Sequence, residues 1–570
     1  MIFSRYGLAL VLLLALAPSQ ARETNAPQLP RQAAVASANA YATDAGLEVM
    51  AKGGNAFDAA VAVSATLGLV EPESSGLGGG GLMLLHLAKD GREVFIDARE
   101  RAPLAATRDM YLDADGKVRP RSSIDGPLAA AIPGTPASLV HLSDKYGQVP
   151  LSVALAPAIR LARKGWVMSS KTAEMLPWRR DVLMRSPGAE ALFFRHGKPA
   201  EAGETLRNPD YARTLERLSE QGRDGFYAGP LAKRLVDGVR KAGGIWSMDD
   251  LEQYRVVERE PLRIEHRGFR LITAPPPSSG GVALAEILNM LSGWDYPRLP
   301  VVERTHLIVE AMRRAYRDRA EFLGDPDFVK VPVARMLSQD YAAGLRATIH
   351  PTRATPSELL PPIGSRKERT ETTHFSILDT QGNVIAVTQT VNLTFGNAFA
   401  VPGTGFVLNN EMDDFSAAPG VPNAFGLVGD KANEIAPGKR PLSSMAPSFL
   451  IGEGRFAALG TPGGSRIITM VLLGVLGLMD GAGAQAVADL PRFHHQYLPD
   501  VIQREPEALA PNVISGLEAM GHTVSVAEST WGNMQVVLWN QVSGEVEAGS
   551  DGRNKSVGKG ALGAPAAIYR

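Results

Sequence analysis

From residue 342 to 371 the chain runs AAGLRATIHPTRATPSELLPPIGSRKERTE, rich in proline, threonine, serine and charge and without a sustained apolar period. Such composition marks an exposed loop or linker. It stops at Thr372 and Thr373, which head a run (His374, Phe375, Ser376, Ile377, Leu378) of strand character, followed by a turn at Asp379, Gly382 and Asn383 and a second strand. The junction splits the chain into a helix-rich part and a strand-rich part, and the second part opens on a buried strand. Threonine is a good strand former, so an edge residue is the ordinary explanation for the pair.

The junction also has chemical meaning. If the Glu371–Thr372 bond were cut, Thr372 would carry a free α-amine beside its own hydroxyl. An α-amine titrates at about 7.7–8, close enough to neutrality to serve as the base that a weak hydroxyl nucleophile needs. A linker that ends at a threonine on a buried strand is therefore the layout of a self-processing hydrolase.

At the N-terminus, Arg5 precedes an apolar run from Tyr6 to Ala17, then Pro18 and the small-residue pattern Ser19, Gln20, Ala21. This is the pattern of a secretory signal peptide over residues 1–21, cleaved after Ala21, and it implies a periplasmic or secreted protein. The apolar run falls short of the roughly 20 residues of a membrane span. An exported chain with no cysteine has to be held by a large core rather than by disulfides. Lys plus Arg (59) nearly balances Asp plus Glu (60) with no long run of one sign, which gives no electrostatic support for nucleic-acid or membrane-surface binding. The most apolar later stretch, IITMVLLGVLGLMDGAGAQAV, is interrupted by Asp480 and several glycines and reads as a buried core helix.

Residues from Ala42 read as two helices, with Gly53 and Gly54 ending the first and Asn55 capping the second. A glycine cluster follows, in which Gly76, Gly78 and Gly81 have dinucleotide-binding spacing. That motif requires a strand before and a helix after; here the order is reversed, so the glycines are read as permitting close backbone approach within a sheet. Two further helices are expected in PLSVALAPAIRLARKGW and THLIVEAMRRAYRDRAEFLGDP, and Ser278 or Ser279 is placed to cap a helix starting near Gly281. Past the junction, strands are expected in NVIAVTQTVN, PSFLIGEGRFAALG and MQVVLWNQVSGEVEAGSD.

Six motifs, DARERAP, TTHFSILDTQGNVIAVTQTVNLTFG, LNNEMDDFSAAPGVPN, GKRPLSSMAPS, TPGGSRI and DLPRFHHQYLPD, together resemble the γ-glutamyltransferase family of proenzymes, also called γ-glutamyltranspeptidases or glutathione hydrolases. They occur in the family's order over nearly the whole mature chain. The resemblance implies that Thr372 is the nucleophile exposed by self-cleavage between Glu371 and Thr372, that Thr373 is structural and that Thr390 supports the nucleophile. Gly463 and Gly464 fall on the oxyanion hole, Arg99 on the carboxylate clamp, Ser443 and Ser444 on its hydroxyl partners, and Asn392, Glu411 and Asp414 on the acceptors of an α-ammonium. Glu411 stands where some members have Gln. PGVPNAFGLVGDKANEIAPGKRP is similar to the family's lid loop, with Phe425 where Tyr is common.

The blander readings are a surface salt bridge for Arg99 and a cation site in NNEMDDFS, which lacks EF-hand spacing. His494 and His495 are adjacent on a strand, point to opposite faces and have no third ligand motif, so they are read as structural and no metal is assigned.

The fold that the resemblance implies is the α+β N-terminal-nucleophile αββα sandwich, two stacked, largely antiparallel sheets between helical layers. Residues 22–371 would form the large subunit and 372–570 the small catalytic subunit of one heterodimer. Glutathione and other γ-glutamyl compounds would be donors, water, amino acids or dipeptides acceptors, and no cofactor is needed. A cephalosporin or glutaryl acylase on the same fold is the nearest rival. A non-catalytic periplasmic protein that binds γ-glutamyl peptides is the alternative from another class.

Overall fold

The computed structural model describes residues 27–360, 372–418, 421, 423–427, 429–553 and 558–565; the signal segment 1–21 and Glu371 lie outside them. The two leading helices form as their sequence dictates, at Ala40–Ala51 and Ala56–Val70. Asn55 caps the second, its side chain accepting the amides of Phe57 and Asp58 while Asp58 returns a bond to the Asn55 amide. The turn after Thr373–Leu378 is tied to the same helix end: Asp379 accepts the Gln381 and Asn383 amides through one oxygen and the Ala56 amide through the other. One carboxylate thus closes a hairpin and satisfies an otherwise orphaned helix donor.

Two antiparallel sheets organise the molecule. The seven-stranded sheet runs, from edge to edge, Lys559–Pro565, Gln32–Ser37, Thr373–Leu378, Val384–Thr390, Gly80–Leu87, Arg92–Ala98 and Val257–Arg259. The six-stranded sheet runs Val546–Ser550, Gln535–Asn540, Arg455–Gly460, Ser448–Gly452, Phe269–Thr273 and Leu262–His266. Because side chains alternate along a strand, the larger sheet divides its residues between two cores. Val35, Met83, Leu85, Ile377 and Val387 pack with the helices Ala56–Val70, Thr135–Tyr146 and Leu151–Lys164. Ala34, Leu82, Leu84, Leu378 and Ala386 face the other way, into a core shared with Phe449, Phe456 and Val536 of the second sheet and with the helices Gly280–Leu291, Val301–Phe322 and Ile467–Met479. The last of these is the apolar IITMV stretch, buried as expected. Among the described residues no helix is long and apolar enough to cross a membrane.

The glycine cluster has helix Ala56–Val70 before it and strand Gly80–Leu87 after it. A Cβ at Gly79 would lie 1.9 Å from the Thr390 carbonyl oxygen, and one at Gly78 would lie 2.0 Å from that of Val407. The cluster therefore lets two backbones touch, and one of them carries Thr390.

One expectation needs correction in part. The stretch from 342 is not loop throughout: helix Gln339–Arg346 occupies its start, and residues 348–360 are fastened down. Arg314 bonds Thr348 and Thr355, Glu310 accepts the Thr355 amide, Asp500 accepts the Ser357 amide and Tyr497 donates to the Leu360 carbonyl. Most side chains of residues 347–359 are exposed all the same, and these bonds anchor the segment to the body of the molecule. Of the two serines before helix Gly280–Leu291, Ser278 accepts the amide of Gly280, the first helical residue, at 3.0 Å, while Ser279, the N-cap residue, makes no capping bond and its hydroxyl donates to the Ser443 carbonyl at 2.7 Å.

Candidate active site

Thr372 is buried at the start of strand Thr373–Leu378, and the register Thr373 to Gln389 places it across from Thr390, the last residue of the neighbouring strand. Their hydroxyl oxygens are 3.2 Å apart. Thr390 Oγ1 also accepts the Asn392 amide at 2.7 Å, which holds the hydroxyl in place. Asn392 has φ +77°, a left-handed conformation that Asn tolerates better than most residues. Its Nδ2 donates to the Asn410 carbonyl at 2.9 Å, so its side-chain oxygen is the atom left to accept from a ligand. Thr373 points elsewhere, toward Glu71.

The bond between Asn392 and Asn410 brings the single helical turn Glu411–Asp414 to the same place. Arg99, one residue past strand Arg92–Ala98, is buried at 1% exposure and donates to Glu411 and Asp414 as well as to the Pro441 and Leu442 carbonyls. A cation and two carboxylates in one dry pocket are complementary to each other, and equally to a zwitterion whose carboxylate faces the guanidinium and whose ammonium faces the acids. Burial pushes the Asp414 carboxyl up, opposed by Arg99. The neighbouring Glu100 carboxyl, 3.6 Å from Arg99, is pushed up by burial to about 7, again with Arg99 pulling the other way. Ser443 Oγ accepts the Met445 amide at 3.1 Å and Ser444 Oγ accepts from Arg319 at 3.4 Å. Both hydroxyls keep their hydrogens to offer an anion.

The second wall of the pocket comes from the turn between strand Arg455–Gly460 and helix Ile467–Met479. Gly463 has φ +142° and Gly464 φ +55°, conformations that favour glycine. Gly464 and Ile467 line the pocket together with Thr372, so the positive end of a helix faces the nucleophile. Phe425 and Leu427 close the opposite side. The Phe425 loop is anchored beside the acids, the Ala424 amide donating to Asp413 at 2.9 Å and Asn423 to Asp414 at 3.2 Å.

Residues 42–561 match the family model described as Gamma-glutamyltranspeptidase. The chain belongs to the gamma-glutamyltranspeptidase family. It is 44% identical over 504 residues to the glutathione hydrolase proenzyme of Pseudomonas sp. (strain A14), covering 87% of each chain. To that of Escherichia coli (strain K12) it is 40% identical, covering 93% of this chain and 91% of the relative. The acylase ACY 1 proenzyme of Pseudomonas sp. (strain SE83) is 38% identical, covering 88% of each. Among solved structures, a cephalosporin acylase from Bacillus halodurans superposes with TM-score 0.82 at 27% identity, covering 97% of this chain and 99% of that one. The γ-glutamyltranspeptidase of Helicobacter pylori gives TM-score 0.56 at 38% identity over 60% of this chain and 97% of that one.

Five of the six gamma-glutamyltranspeptidase motifs, scattered over more than 300 positions, converge on one pocket; DLPRFHHQYLPD does not reach it. Thr372, Thr390, Asn392, Arg99, Glu411, Asp414, Ser443, Ser444, Gly464 and Phe425 all line it, and Gly463 immediately precedes Gly464. Arg99 is no surface salt bridge: it is buried and pairs with Glu411 and Asp414, while Asp413 accepts from Ser123. Two residues were not singled out from sequence, Glu100 and Arg319, and Ser279 was read only as a helix cap. Glu100 adjoins Arg99 in DARERAP and was within reach of the motif; Arg319 belongs to a helix that reads as an ordinary amphipathic segment.

His494 bonds Thr469 and Gln496, and His495 bonds Asp500 and Tyr497. A separate group, His306, Glu310 and His522, brings three ligand-type atoms within 4.8 Å of one another. There His306 Nδ1 lies 2.8 Å from His522 Nε2, and Glu310 is paired with Arg313 and Arg314. The two guanidiniums already supply the positive charge that a metal ion would bring.

Proposed function

We propose that this chain is an exported proenzyme that cleaves itself before Thr372 and then acts as a glutathione hydrolase and γ-glutamyltransferase, its two chains forming a heterodimer on the four-layer αββα N-terminal-nucleophile arrangement. The observation that carries the reading is the Thr372–Thr390 hydroxyl pair at 3.2 Å, opening on a pocket with a buried guanidinium and two carboxylates. The α-amine of Thr372 takes the proton of its own hydroxyl, Oγ1 adds to the γ-carbonyl carbon, and the oxyanion that forms is met by the backbone N–H groups of Gly463 and Gly464. Donors held in a water-poor site stabilise such charge by a few kcal/mol each. Collapse expels the amine, which takes the proton from the Thr372 amine and leaves a γ-glutamyl ester. Water, or the amine of an amino acid or dipeptide, then attacks the ester and regenerates Thr372. Arg99 with Ser443 and Ser444 holds the donor's α-carboxylate, while Asn392, Glu411 and Asp414 accept from its α-ammonium, so that the γ-carbonyl is the group left facing the nucleophile. The export reading rests on residues 1–21 alone.

A second reading is favoured by the acylase relatives: removal of a glutaryl or similar side chain by the same nucleophile. A glutaryl group has no α-ammonium, and would leave Asn392, Glu411 and Asp414 without the cation they are arranged to meet. Rates on a γ-glutamyl anilide and a glutaryl anilide separate the two. Faster turnover of the γ-glutamyl anilide is expected; preference for the glutaryl anilide would make the chain an acylase.

A further inference from the structure

Arg319 lies on helix Val301–Phe322, is 5% exposed and lines the same pocket as Thr372 and Arg99. Other buried arginines are ion-paired: Arg99 with Glu411 and Asp414, Arg313 and Arg314 with Glu310, Arg492 with Asp551. Arg319 differs, since among the described residues no carboxylate comes within ion-pairing distance of it and its bonds go to two hydroxyls. Nε donates to Ser279 Oγ at 2.9 Å and Nη2 to Ser444 Oγ at 3.4 Å. Burial lowers its pKa to about 10, so it remains a cation at neutral pH, with Asp414 and Arg99 acting on it from further away. A buried cation without a counter-ion is costly to keep, and its place in the pocket gives the cost a purpose.

The two bonds have different consequences. Ser279, while accepting from Arg319, donates its own hydroxyl to the Ser443 carbonyl at 2.7 Å, and its amide reaches the same carbonyl at 2.8 Å. Arg319 thereby pins the Ser443–Ser444 turn, which lies on the other side of the expected cleavage point, to helix Gly280–Leu291. At Ser444 the accepted bond commits a lone pair and leaves the hydroxyl hydrogen to point at an anion. We propose that Arg319 is a positioning residue for the α-carboxylate of the γ-glutamyl donor, orienting the Ser444 hydroxyl as a donor and supplying the positive charge that Arg99 shares with Glu411 and Asp414. The assignment rests on the γ-glutamyl reading above.

The test compares two donors on the mature two-chain enzyme: γ-glutamyl-p-nitroanilide and 4-aminobutyryl-p-nitroanilide, which keeps the amine and the acyl chain but lacks the α-carboxylate. Arg319→Gln is expected to raise KM for the γ-glutamyl donor by about tenfold or more, as for loss of a charge-assisted bond, with a smaller change in kcat. Its kcat/KM for 4-aminobutyryl-p-nitroanilide should stay within about twofold of the wild type, and Arg319→Lys should recover part of the loss. Equal losses on both donors would make Arg319 a packing residue and overturn the proposal, as would no loss on either. If Arg319→Gln does not mature, Arg319→Lys carries the same comparison, with a smaller KM rise confined to the γ-glutamyl donor expected and equal changes on both donors contradicting it. A wild type that does not prefer the γ-glutamyl donor would refute the γ-glutamyl reading itself, and that result is visible before any variant is made.

Discussion

Thr390 Oγ1 accepts the Asn392 amide at 2.7 Å and stands 3.2 Å from Thr372 Oγ1, so a fixed hydroxyl waits beside the proposed nucleophile. Thr390→Val keeps the shape and removes the hydroxyl. A hydrogen bond to a group gaining negative charge contributes about 1.5–3 kcal/mol, so kcat on a γ-glutamyl anilide should fall about 10- to 100-fold with KM little changed. An unchanged kcat would remove Thr390 from the mechanism. Thr372 stood out in the sequence by its place at the end of the linker, Thr390 and Arg99 only through motifs that resemble the family's, and the structure brings all three to one pocket. Arg319 did not stand out, because its role depends on Ser279 and Ser444, 40 and 125 positions away, and a helix pattern carries no record of which charged side chains end up buried.

At the scale of elements, the hairpin Thr373–Leu378 to Val384–Thr390 and the glycine cluster make one unit, since a side chain at Gly79 would collide with the Thr390 carbonyl. The order of helix, glycines and strand was enough to exclude a dinucleotide site; that the glycines bear on Thr390 is a tertiary fact with no local signal. The composition of 342–360 agrees with its largely exposed side chains, but carries no record of helix Gln339–Arg346 at its start or of its anchoring by Arg314 and Glu310. The Phe425 loop is tied to Asp413 and Asp414 at its base, and its aromatic ring packs near Ile124, Leu393 and Ala424. Phenylalanine has no hydroxyl with which to latch the loop shut, and the proposed mechanism then expects water to reach the acyl-enzyme more freely than it would under a tyrosine. Phe425→Tyr is expected to raise the ratio of transfer to hydrolysis, measured with a dipeptide acceptor; an unchanged ratio would show that the ring's hydroxyl plays no part in gating.

At the scale of the whole molecule, strands from both sides of residue 372 alternate in the larger sheet, with Gln32–Ser37 and Gly80–Leu87 flanking the hairpin of the small chain. A single cut before Thr372 would therefore leave the two parts joined by continuous hydrogen-bonded ladders, so that a chain without cysteine could survive the proposed cleavage. Several histidines inside this assembly are held neutral by burial: His266 and His495 are lowered to about 4, His374 and His522 to about 3. The unfolded chain takes up these protons near pH 6.5 while the folded one does not, so stability present above that pH is lost as pH falls toward 4, by up to about 1.4 kcal/mol per pH unit for each group. Carboxyls raised by burial, Glu100 to about 7 and also Glu286, Asp325, Asp379 and Asp414, work in the opposite sense, costing stability as pH rises, but among the described residues the lowered histidines outnumber them. Urea unfolding should show falling stability between pH 6.5 and 4.5, and His522→Gln should flatten that slope; an identical slope would place the acid sensitivity elsewhere. The central claim, that residue 372 is both cut site and nucleophile, is tested most directly by N-terminal sequencing of the smaller fragment of the purified protein. The account predicts that it begins Thr-Thr-His-Phe, from Thr372, and that Thr372→Ala stays a single chain. One uncut chain in the wild type, or a fragment beginning at any other residue, would contradict it.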